Sequence, residues 1–202
     1  MAASVVPLGS TRLQQRLLTL PARAVPPAFL ATAAVLSIAN RSRLRAWGWT
    51  PLDHHGVPWP SSLALLPGGR LQTASFFGSG ASLIALARTL PRGGQARLLA
   101  TAGAGLLAAA LPLDHPDGDP GELASWVHSW HAGVHVGGFL LAGPAGILAI
   151  AASRRRTDAA LAAALTAAAA AGRTPGWYVF LAGFFGWVWR LADRVARGRP
   201  VA

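Results

Sequence analysis

Six apolar stretches, 14 to 23 residues long, follow one another along this chain, and its arginines gather at their ends. This alternation constrains the fold most. An apolar run of about 20 residues, wound as a helix, is about 30 Å long, the thickness of a bilayer's hydrocarbon core. The runs lie near 24–40, 71–90, 98–113, 130–152, 159–172 and 176–192. The expected fold class is therefore all-α: a polytopic membrane bundle of about six transmembrane helices over residues 24–194. A basic cytoplasmic segment, 1–23, precedes it, and a basic tail, 195–202, follows.

Composition supports that class. Only 12% of the residues are charged, against about 25% in soluble domains, and mean hydropathy is +0.40. The net charge of +11 comes from 18 arginines with no lysine. Because they occur in short clusters between apolar runs, they follow the positive-inside pattern of a multi-pass protein, with the bilayer as partner and no nucleic acid. There is no cysteine, so disulfides and thiolate metal sites are ruled out.

With the N-terminus inside, thirteen arginines fall on the cytoplasmic side and five outside, so both termini are expected in the cytoplasm. Arg41, Arg43 and Arg45, just after the first run, go against the rule. A basic leader ahead of a short apolar core also fits a cleaved signal, with Ser37-Ile38-Ala39 as its exit. Ala46 to Arg70 holds three tryptophans and four prolines, which excludes a spanning helix. Trp47, Trp49 and Trp59 suit the interfacial belt. Gly78, Gly80, Gly103 and Gly105 suit close backbone packing in lipid. Asp119-Pro120-Gly121-Glu122 reads as the cap of the fourth helix, with Trp126 and Trp130 at the interface and Pro144 kinking the interior.

The polar chemistry is concentrated in Leu111 to His135, which holds four of the seven acids and four of the six histidines. On one helix, His128, His131 and His135 span an arc of only about 60° at 100° per residue. Asp114 ends the third span at the depth where His131 begins the fourth. Two or three imidazoles with a carboxylate can hold a divalent metal such as zinc, so Asp114, His128, His131 and His135 are the candidate ligands. Asp53, His54, His55 and Ser62 lie in the loop facing the same side. The structural alternative is hydrogen-bonded packing of the fourth helix against the loop after the first, and a proton-linked permeation role is a third reading.

These residues resemble a bacterial family of six-helix membrane proteins grouped as "domain of unknown function 998". The likeness runs from about Gly48 to Arg194. It is carried by Asp53 and Ser62, by Pro112-Leu113-Asp114-His115-Pro116, and most specifically by Trp130-His131-Ala132-Gly133-Val134-His135. Ala132 stands where that family has glycine, the first span is short and followed by arginines, and the fifth is rich in alanine. The resemblance implies the six-helix fold and the site's location, and leaves the chemistry open. Two functions follow as expectations. One is an outward-facing, metal-assisted hydrolase or transferase acting on a lipid or envelope substrate. The other is a non-enzymatic structural or transport-related membrane protein whose polar cluster ties helix ends together.

Overall fold

In the computed structural model, residues 12–49, 58–111, 130–171 and 174–200 are described, and they are all-helical, with no strand among them. The seven α-helices are α1 (Arg12–Ala39), α2 (Arg41–Ala46), α3 (Arg70–Ala87), α4 (Gly94–Ala109), α5 (Trp130–Ala151), α6 (Arg156–Ala170) and α7 (Thr174–Ala196). A 3-10 turn at Ser62–Leu65 precedes α3. Among the described residues each apolar run is a helix.

Six of the helices form a closed ring in chain order: α1 packs on α3, α3 on α4, α4 on α5, α5 on α6, α6 on α7, and α7 back on α1. The packed pairs show that neighbours are antiparallel. Gln95 Nε2 donates to Ala149 O at 3.2 Å at one end of the α4–α5 pair, while His135 Nδ1 lies 2.9 Å from Leu111 O at the other. At the α1–α7 seam, Arg23 pairs with Asp193 at 3.4 Å, and further along Phe29 meets Phe185. The ring therefore has an arginine end, where α1 begins, α7 finishes and the α3–α4 and α5–α6 turns lie, and a tryptophan end at Trp49 and Trp59.

Small residues set the closest approaches. A Cβ on Gly105 would lie 2.6 Å from Gly138 O, and one on Gly80 would lie 2.6 Å from Gly103 O, so these backbones touch where no side chain intervenes. Elsewhere the interior is aromatic. Phe29, Phe76 and Phe185 are each 2% exposed or less, and Phe29 packs edge-on against both others, with centroids at 4.8 and 5.4 Å. Outside the ring, Leu17, Val35, Ile38, Phe77, Leu140 and Val179 stand exposed, so several helices are apolar on both faces.

Among the described residues, two helices are long and apolar enough to cross a membrane, α1 over Arg16–Ala39 and α5 over Gly133–Ala151. The other four ring helices do not meet that standard: α4 and α6, at 16 and 15 residues, are only about 24 and 22 Å long.

Three details add to the sequence reading. Helix α1 is continuous from Arg12 through Pro21, Pro26 and Pro27, so the basic segment from Arg12 on and the first apolar run share one helix. Interior prolines cost a helix hydrogen bond, but α3 and α7 brace this one on two sides. The arginines after α1 lie on a separate short helix, α2, anchored by buried Leu44. Trp49 is a core residue rather than a belt residue: at 6% exposure it packs with Ala33, Leu36, Leu44, Leu63 and Leu66, with Trp47, Trp59 and Tyr178 against that cluster. The proposed cap at Asp119 and Trp126 lie outside the described residues.

Candidate functional site

At the tryptophan end, α5 turns one face inward and one outward. Trp130 and His135 are about 140° apart on the helix, and they are 69% and 3% exposed. The inward face places the His135 ring against Phe139, one turn on, at 5.0 Å between centroids, and against Phe76 of α3 at 6.2 Å. Edge-to-face contacts continue from Phe139 to Trp177 of α7 and on to Trp59. Tyr178 Oη donates to Pro58 O at 3.1 Å, fastening the segment before the 3-10 turn to α7.

His135 is polar within this aromatic setting, and one bond accounts for its position. A helix ends with carbonyls that have no partner in the helix. Leu111, two residues beyond the last residue of α4, presents such a carbonyl, and His135 Nδ1 donates to it at 2.9 Å. A carbonyl can only accept, so Nδ1 carries the proton, and in neutral imidazole the lone pair then lies on Nε2. This is the arrangement of a metal-ligating or proton-accepting histidine, whose second nitrogen is held by a backbone oxygen. It is equally a helix-to-helix tie. The tie joins α5 to the end of α4, not to the loop after α1 that the sequence pointed to.

The expected ligand set is only partly in view. Asp114, His128 and Asp53, with His54, His55 and His115, lie outside the described residues, as does the His131 side chain, although its backbone opens α5. Ser62 sits in the 3-10 turn, 6% exposed, and makes no hydrogen bond with His135. Among the described residues no group of three His, Asp or Glu could hold a metal ion. His135 thus fits as one nitrogen ligand.

Gln72 was not singled out from the sequence. It lies one turn from Phe76 on α3 and is fully buried, with both Oε1 and Nε2 unpartnered among the described residues. Ser79, the next turn the other way, is also buried with an unpartnered Oγ. A single amide within an apolar run gives no periodic signal. Only its burial makes it conspicuous, because a buried carboxamide without partners costs free energy. At the arginine end, Asp158 is fully buried, accepts from Trp187 Nε1 at 3.1 Å and lies 3.9 Å from Arg190.

No protein-family model matches the chain, and no curated protein or solved structure matches it.

Proposed function

We propose that this chain is an integral membrane protein of six spans with both termini cytoplasmic, whose outward end carries a histidine-based site for metal-assisted hydrolysis or group transfer on a lipid or envelope substrate. The spanning part is supported by an even-numbered antiparallel ring that is apolar on both faces and by the thirteen-to-five division of arginines between its ends. On this reading α4 and α6, short for a bilayer, cross with help from their flanks or from local thinning.

The observation that carries the site is the anchored imidazole of His135, fixed by Leu111 O so that Nε2 holds the lone pair. With Asp114, His128 and His131 as partners, the donor set suits a zinc-type ion, which would supply a bound water acidified toward hydroxide. The chain's own part is to hold the donors, exclude bulk water with Phe76, Phe139 and Trp177, and present Nε2. A second reading has an observation of its own: at 3% exposure between Phe76 and Phe139, His135 is placed as a buried tie would be.

Metal content of detergent-purified protein separates the two. Under the first reading the wild type carries stoichiometric metal, and His135→Ala loses it. Under the second the wild type is metal-free, and His135→Ala only melts at a lower temperature. A metal-free wild type after chelator-free purification would falsify the metal site. Reporter fusions at Arg97, Arg156 and the C-terminus are expected to read inside, and one at Gly118 outside. A C-terminal reporter reading outside rejects the six-span topology.

A further inference from the structure

The arginine end holds a cleft between α3 and α4, about 700 Å³ in volume and open on one side, lined by Arg88, Arg92 and Arg97 together with Ile84, Ala96 and Ala100. None of the three guanidinium groups has an ion pair or hydrogen bond among the described residues. Nor does the sequence offer a neighbouring acid, since no Asp or Glu occurs between Asp53 and Asp114. The acids at this end are already engaged: Asp158 by Trp187 and Arg190, Asp193 by Arg23 and Arg197. Helix α4 begins at Gly94, beside the cleft, and its N-terminal amides add positive potential there.

Three uncompensated cations above an isoleucine and alanine wall match an amphiphile with an anionic head. Guanidinium forks bind phosphate oxygens in pairs, and an acyl chain would lie along the apolar side of α3 and α4. We propose that this cleft binds the phosphate headgroup of an anionic phospholipid of the cytoplasmic leaflet. The inference rests on the membrane-spanning reading, which places this end inside, where anionic lipids attract juxtamembrane arginines.

The test uses full-length protein reconstituted into mixed phosphatidylglycerol and phosphatidylcholine vesicles, re-extracted gently, with the retained lipid quantified. The wild type is expected to retain phosphatidylglycerol preferentially. The combined variant Arg88→Gln, Arg92→Gln, Arg97→Gln is expected to weaken that preference by about fivefold for each arginine removed. Arg41→Gln, Arg43→Gln, Arg45→Gln removes the same charge at the other end and is expected to keep it. Equal retention by the inner triple variant and the wild type overturns the proposal, as does equal loss in the outer one, which would mark a long-range charge effect. Displacement of the lipid by millimolar inorganic phosphate would overturn the headgroup assignment in favour of a free-anion site. If the inner triple variant does not fold, Arg92→Gln alone, on the exposed turn, gives the same readout at one-third of the charge. Failure of the underlying topology reads differently: the protein would then leave vesicles in an alkaline wash without detergent.

Discussion

At the scale of single residues, each buried polar group has a different stake. His135→Phe keeps a ring against Phe76 and Phe139 but removes the donor to Leu111 O, so a half-buried carbonyl loses its partner. The expected cost is that of one hydrogen bond, about 0.5–1.5 kcal/mol, read as a lowered melting temperature in detergent. Asp158→Asn retains an oxygen for Trp187 Nε1 and should melt close to the wild type. Asp158→Leu leaves the indole N–H unmatched and should lose about 1–3 kcal/mol. Equal losses for Asn and Leu would show that the charge of the carboxylate, not its hydrogen bond, is what matters there. His135 was legible in the sequence, since helical spacing and depth singled it out. Its partner was not, because a main-chain carbonyl carries no sequence signature. Gln72 escaped for the related reason that burial, and not residue type, is what makes a lone amide notable.

At the scale of helices, the α4–α5 contact depends on the absence of side chains at two positions. A Cβ on Gly138 would stand 2.5 Å from Gly105 O and 2.6 Å from Ala109 N, both rigid backbone atoms, so Gly138→Leu must push the helices apart. Overpacking of this kind costs about 1–3 kcal/mol or more. Gly137, one residue earlier, has nothing within 4 Å, and Gly137→Leu should change the melting temperature little. Equal effects at both positions would mean that helix propensity, not contact, governs this pair. Helix positions were read well from the sequence because charge exclusion over a run is a strong signal. Helix ends were read less well. Helix α1 reaches back to Arg12, ahead of the apolar run that starts near residue 24, and carries Pro21, Pro26 and Pro27 because packing on α3 and α7 outweighs local preference. Trp49 was misplaced because an indole near a helix end looks the same whether its neighbours are lipid or Leu63 and Leu66.

At the scale of the whole molecule, the seam between α1 and α7 is held by Phe29 against Phe185 and by Asp193, which pairs with Arg23 at 3.4 Å and with Arg197 at 2.8 Å. Arg23 is 37% exposed, so the charged part of the seam is worth no more than about 1 kcal/mol. Asp193→Asn should therefore lower the melting temperature slightly, whereas Phe29→Ala, which opens a cavity at the centre, should cost about 3–5 kcal/mol. Comparable shifts would move the weight of the seam from packing to charge. The seam is also the one ring contact between helices that are not successive ring members in chain order. Each other ring helix follows its neighbour in chain order, whereas the α7-facing side of α1 stays uncovered until α7 is made. A chain interrupted before Thr174 would keep Phe29 against Phe76 but leave it without Phe185, and Arg23 without Asp193.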